Sequence, residues 1–242
     1  MKSMNNIIPS SVRGIIFDYG GTLDTNGVHW SKVLWRAYCD ESVGITEDEF
    51  RECYVHAERE LSAGSFIQPS DTFPDLLRIK ADIETKYLTD HGYWQVTDVT
   101  RRATMEHIAM RCHYHVLENM QLTRRVLSTL AASYPLVLVS NFYGNLHAVL
   151  DGYCLDCFND VIESSVVEVR KPDSEIFRLG VDALGRQAHE VLVVGDSLKN
   201  DILPATKLGC QTAWLKVSGW KDEPDDASTS TLIIHSLAEL LN

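Results

Sequence analysis

The strongest constraint on this fold is a set of short apolar runs separated by much longer helical stretches. Val12–Phe17, Leu136–Val139, Val191–Val194, Thr212–Leu215 and Leu232–Ile234 are each too short for a helix and lack polar alternation. Such runs suit strands covered on both faces, and the helical stretches between them supply the cover. The prediction is an α/β fold with a doubly wound (Rossmann-like) parallel sheet.

One gap in that pattern is far longer than a crossover needs. From about residue 25 to 119 the chain has helical periodicity and almost no strand signal. Trp30, Val33, Leu34, Ala37 and Tyr38 share one helical face, and Phe50, Tyr54, Ala57 and Leu61 form a second stripe. Thr46 and Glu49 have capping-box spacing. Val99–Met110 is again helix-like. The aromatic residues of these stripes are read as core. The expected organisation is a discontinuous α/β core, residues 1–24 plus 120–242, carrying a smaller helical cap domain over residues 25–119. The polar stretch Asp222–Thr231 is expected to be a surface loop.

Composition narrows the functional classes. The chain has 242 residues, 45% of them hydrophobic, and a formal net charge of -12. An acidic surface repels phosphate backbones, so no nucleic-acid partner is expected. No stretch approaches the roughly 20 apolar residues that span a bilayer, and no secretory signal is expected, so neither is a membrane partner. Six scattered cysteines read as reduced thiols in a cytoplasmic protein. Cys154 and Cys157 form a lone CxxC, read as an ordinary thiol pair because no second pair completes a zinc site.

The chemistry gathers at the ends of the apolar runs. Asp18 follows the first run and precedes Gly20, Gly21 and Thr22, a turn that allows close backbone approach to a ligand. Thr22 can hydrogen-bond that turn or an anion. Ser140 and Asn141 follow the second run, where a hydroxyl can bind a phosphoryl oxygen or cap a helix. Lys171 precedes Pro172, which suits the first turn of a helix through Glu175, Ile176 and Phe177. The run Val191–Val194 ends in Gly195 and Asp196, with Asp201 five residues on. Asp201 can also be read as a helix N-cap, and Leu208-Gly209 as a helix stop. Carboxylates gathered around an anionic substrate repel it unless a divalent cation intervenes, and hard oxygen ligands favour Mg²⁺.

The order Asp, Ser, Lys, Asp, Asp resembles the haloacid dehalogenase superfamily of hydrolases. Four motifs carry the resemblance: Phe17 to Leu23, Val139-Ser140-Asn141, Arg170-Lys171-Pro172-Asp173, and Val194 to Asp201. The resemblance implies a phosphatase acting on a small phosphorylated metabolite, with Asp18 as nucleophile forming an aspartyl-phosphate. It implies that Mg²⁺ is bound by Asp18, Asp196 and the backbone carbonyl of Gly20. Ser140, Asn141, Thr22 and Lys171 would hold the transferring group, and Asp201 would support the metal shell and orient Lys171. The insert resembles the cap that closes over the site and selects substrate.

Gly20 departs from the pattern. Phosphatases of this superfamily carry a second Asp there, which protonates the leaving oxygen and then deprotonates water. Losing general acid–base catalysis costs about 10²–10⁴-fold in rate. The remaining options are a substrate with a good leaving group, a proton donor such as His29, a different bond broken, or a non-catalytic phosphate- or metal-binding protein. Asp24 is read as a hinge-turn residue. Dehalogenases of the superfamily have an aromatic at the position of Gly20. Phosphonatases have Ala and need a cap lysine, for which Lys32 is read as a surface residue.

Overall fold

The computed structural model describes residues 7–64, 66–217 and 230–242. In chain order the elements are β1 (Gly14–Phe17), α1 (Trp30–Asp40), α2 (Glu47–Ala63), α3 (Phe73–Asp90) and α4 (Asp98–Ala131). Then come β2 (Leu136–Ser140), α5 (Leu146–Gly152), β3 (Asp160–Glu163), α6 (Ser164–Val167) and α7 (Glu175–Leu184). After a 3-10 turn (Ala188–Glu190) come β4 (Val191–Gly195), a π-helical turn (Leu198–Ile202), α8 (Leu203–Leu208), β5 (Gln211–Leu215), β6 (Leu232–Ile234) and a second 3-10 turn (Leu237–Leu241). Most of the stretch predicted as a loop, 222–231, lies outside the described residues.

The chain divides into two compact units. The first comprises Met1–His29, Asn119–Phe142 and Cys154–Asn242; the second comprises Trp30–Glu118 and Tyr143–Tyr153.

The first unit is a six-stranded, all-parallel sheet in the order β3-β2-β1-β4-β5-β6, covered by helices on both sides. Every residue of β1, β2 and β4 is buried, which is why these strands read as unbroken apolar runs. The chain leaves β1 toward β2 and later enters β4 on the other side of β1, so the winding direction reverses between β1 and β4. Helix α7 packs on the sheet through Ile176, Phe177, Gly180, Val181 and Leu184. A Cβ on Gly180 would lie 2.8 Å from both Ile16 and Val139, so the absent side chain lets this helix sit close on β1, which leads into Asp18, and β2, which ends in Ser140. Each fully buried Ile, Val or Phe at that interface contributes about 1.5–3 kcal/mol.

The second unit is helical. Thr46 and Glu49 close the capping box that starts α2, with Thr46 N–H donating to Glu49 Oε2 at 2.6 Å. Phe50, Tyr54, Ala57 and Leu61 are buried along α2, as are Val33, Leu34, Ala37 and Tyr38 along α1. The unit also encloses charge. Lys80 of α3 pairs with Glu58 of α2, which accepts from Tyr143 at 2.9 Å. Glu84, fully buried one turn beyond Lys80, accepts from Tyr38 at 3.1 Å. Burial lowers the Lys80 pKa, but the Glu58 and Glu84 charges prevail and leave it above the ordinary range.

Three local expectations need correction. Strand β3 was not foreseen, because Asp160 and Glu163 flank only two apolar residues and its first half is not buried. Pro172 lies in a turn ahead of α7 rather than inside its first turn; Asp173 Oδ1 instead accepts the Glu175 N–H at 3.0 Å. Asp201 is not an N-cap: Ser197 takes that position and accepts from Asn200 N–H, while Asp201 lies within the π-helical turn.

Candidate active site

All residues of the site belong to the sheet unit. Asp18 directly follows β1, and its N–H is held by Val194 of β4 at 2.9 Å. The chain then folds into a tight turn. Gly21 adopts φ 90°, its N–H donates to Asp24 Oδ1 at 2.7 Å, and its carbonyl accepts from Gly27 N–H at 2.7 Å. A Cβ on Gly21 would lie 2.5 Å from the Asp196 carboxylate, so glycine is needed for conformation and for space. Asp24 is fully buried and holds this turn.

The Asp18 carboxylate is engaged through both oxygens. Oδ1 accepts from Lys171 Nζ at 2.6 Å and from Ser140 Oγ at 3.2 Å, and Oδ2 lies 3.0 Å from the Thr22 hydroxyl. Lys171 Nζ also donates to Asp201 Oδ1 at 2.6 Å and stands 5.4 Å from the centre of the Phe177 ring. Asp201 Oδ2 accepts the Ser197 N–H at 3.0 Å. Thr22 Oγ1 accepts the Asp196 N–H at 3.1 Å and lies 3.2 Å from Asp196 Oδ1.

Asn141 turns away from the carboxylates. Its Oδ1 accepts the Lys171 N–H at 2.9 Å and its Nδ2 donates to the Lys171 carbonyl at 3.1 Å. The side chain predicted to touch phosphate therefore clamps the loop that carries Lys171. Among the described residues, no heavy atom beyond the chain neighbours of Gly20 lies within 4 Å of where its Cβ would be.

Two supporting features escaped sequence reasoning. A Cβ on Gly195 would meet the Asp201 side chain at 2.5 Å, so this glycine lets the turn after β4 fold back on itself. The Trp214 indole N–H donates to the Asp196 carbonyl at 2.9 Å. Trp214 lies inside an apolar run, and nothing in the sequence distinguishes it from core.

Charge is unevenly balanced. Asp18, Asp196 and Asp201 each present an oxygen, all within 4.8 Å of one another, and Lys171 is the ammonium bonded among them. Desolvation, reinforced by the charges of Asp18, Asp201 and Asp24, holds the Asp196 carboxyl well above its ordinary range despite Lys171. Burial pushes Asp201 up to about 6, with Lys171 opposing. Burial works against the Lys171 ammonium, but Asp18 and Asp201 outweigh it and raise its pKa. An all-oxygen donor set short of positive charge fits a hard divalent cation such as Mg²⁺.

A strand-end aspartate facing a lysine and further carboxylates, where a doubly wound sheet reverses, defines an α/β enzyme core. Residues 12–209 match the haloacid dehalogenase-like hydrolase family, and the chain belongs to it. A glyceraldehyde 3-phosphate phosphatase of Methanocaldococcus jannaschii is 39% identical over 85 residues, 35% of this chain and 37% of that protein. The 5-amino-6-(5-phospho-D-ribitylamino)uracil phosphatase YigB of Escherichia coli is 33% identical over 96 residues, 40% of this chain and 39% of that protein. The chain thus spans less than two-fifths of the length of these curated relatives. A dehalogenase crystal structure with an intermediate complex superposes with a TM-score of 0.64 at 17% identity, covering 96% of this chain and 97% of that one, and shows the common fold.

Proposed function

We propose that this protein is a Mg²⁺-dependent phosphatase that acts on a small phosphorylated metabolite through an aspartyl-phosphate on Asp18. The observation that carries this reading is the setting of Asp18, with one carboxylate oxygen held by Lys171 and Ser140 and two further carboxylates within 4.8 Å. The phosphatase names of its relatives support it. Among the described residues no helix is long and apolar enough to cross a membrane. The six unpaired cysteines support a reducing, cytoplasmic setting.

In this reading Asp18 attacks phosphorus in line, and the leaving oxygen departs with the electrons of the broken P–O bond. Water then attacks the phosphorus of the acyl phosphate, releasing phosphate and regenerating the carboxylate. Lys171 holds Asp18 and neutralises charge on the transferring group, and the Ser140 hydroxyl donates beside it. Asp201 keeps the Lys171 ammonium in place, while Asn141 and Thr22 act through Lys171 and Asp196. Mg²⁺, held by Asp18, Asp196 and the Gly20 carbonyl, would supply neutralisation of the phosphoryl charge.

Gly20 offers no proton to the leaving oxygen. Good leaving groups, as in acyl phosphates and aryl esters, are therefore favoured over alkyl esters. Schiff-base chemistry of the phosphonatase kind finds no support in the helical unit, where Lys80 is buried, paired with Glu58 and held in its charged form, and Lys32 is exposed.

The test is turnover of acetyl phosphate, p-nitrophenyl phosphate and glycerol phosphate with Mg²⁺. The first two should be hydrolysed faster than the third, and Asp18→Asn should abolish all three reactions. Inactivity on the whole panel with intact cation binding would replace this reading with that of a non-catalytic binding protein.

A further inference from the structure

We infer that Trp214, which lies outside the four motifs, is a positioning residue for the cation-binding carboxylate Asp196. The inference rests on the reading of the carboxylate cluster as a divalent-cation site.

Asp196 is the first residue beyond β4, where the strand ladder has run out. The last register pair is Gly195 opposite Trp214. The peptide groups of Asp196 consequently take their partners from side chains. Thr22 Oγ1 accepts its N–H at 3.1 Å, and the Trp214 indole N–H donates to its carbonyl at 2.9 Å. Asp196 is thus held from the β1 side by one side chain and from the β5 side by another.

Trp214 is well suited to this role. It is 2% exposed and extends a hydrogen-bonded strand, so its backbone is fixed. Lys216, two residues on, places its ammonium 4.9 Å from the centre of the indole ring. A cation over the ring face and packing around it restrict the ring's rotation. Without the indole N–H the Asp196 carbonyl loses its donor, and the peptide can rotate. Because the carboxylate hangs from the same Cα, that rotation moves the ligand oxygens relative to Asp18. Removing a partner that orients a metal ligand costs about 10–100-fold in metal affinity.

The experiment measures Mn²⁺ and Mg²⁺ binding by calorimetry, with no substrate present. It compares the native protein, Asp196→Asn, Trp214→Phe, and a protein with benzothienylalanine placed at position 214, which keeps the ring shape and lacks only the N–H. Circular dichroism and thermal melting check that each is folded. The native protein should bind one cation, Asp196→Asn should lose it, and both Trp214 replacements should bind at least tenfold more weakly. Should the benzothienylalanine protein bind as tightly as the native one, the role of Trp214 is overturned while the cation site stands. Should the native protein bind no cation, the site reading fails and the positioning role falls with it.

Discussion

The Lys171 ammonium lies 2.6 Å from the Asp18 carboxylate across 153 residues of sequence, and both groups are buried. The same nitrogen reaches Asp201 at 2.6 Å. One cation therefore joins the loop between α6 and α7, the end of β1 and the turn after β4. That arrangement makes the site a structural element as well as a chemical one.

Replacing Lys171 with Met should show both roles. Breaking a buried ion pair by removing one partner costs about 3–5 kcal/mol, because the remaining charge is left uncompensated. Urea denaturation with a chelator present should register a loss of that size, and hydrolysis of acetyl phosphate should vanish. A loss below about 1 kcal/mol would contradict the buried pairing, since that range belongs to exposed pairs.

Gly20→Asp should raise alkyl-ester phosphatase activity. Among the described residues nothing crowds a Cβ at Gly20, and its φ lies outside the left-handed region, so an L-residue fits there without backbone strain. General acid–base groups contribute about 10²–10⁴-fold, and a gain of at least the lower figure is expected in kcat/KM for glycerol phosphate. An unchanged rate in a folded variant would count against the missing proton donor as the limiting defect.

The neighbouring glycine should behave oppositely. Gly21→Ala places a Cβ 2.5 Å from the Asp196 carboxylate at a φ of 90°. Backbone strain of this kind costs about 1–3 kcal/mol, and the displaced carboxylate should weaken Mn²⁺ binding as well. Thermal melting and calorimetry would reveal both losses; native behaviour in both would refute the close approach.

The helical unit should be less stable in base than near pH 5. Burial raises the Glu84 pKa from 4.5 to about 7, against the opposing effects of Lys80 and the Tyr38 hydroxyl, with Glu58 adding to the rise. Cys53 and Tyr54 of α2 and Cys112 of α4 also face this carboxyl. Between those two values the folded protein binds the proton that the unfolded chain has released. Stability is therefore fullest below pH 4.5 for this group, falls as pH rises through about 7, and is flat above. The difference is about 3 kcal/mol from the linkage relation. The raised carboxyls of Asp196 and Asp201 add to the slope of the whole protein, so Glu84→Gln should lower it by the Glu84 share in urea unfolding between pH 5 and about pH 8; an undiminished slope would exclude Glu84 as a source.

Legibility in the sequence followed burial. The runs at β1, β2, β4, β5 and β6 were readable because each is a local apolar block. The edge strand β3 was not, since half of it faces water and its ends are acids. The stripe of α2 and its Thr46–Glu49 cap were equally plain, as both depend on residues three or four apart. The contacts of Asn141 and Trp214 were hidden. An amide after a strand looks the same whether it turns toward a phosphate or toward the Lys171 backbone, and a strand tryptophan looks like core.

By itself the sequence determined that polar residues stand at the ends of buried parallel strands, because an apolar block followed by Asp, Ser or Gly is a local pattern with one physical outcome. Tertiary structure decided which atoms meet: Lys171 with Asp18 and Asp201, Asn141 with the Lys171 backbone, and the Trp214 indole with the Asp196 carbonyl. Those pairings depend on strand register, on side-chain rotation and on glycines at contact points. A hydrogen bond tolerates only a few tenths of an ångström, a tolerance that spacing along the chain does not encode.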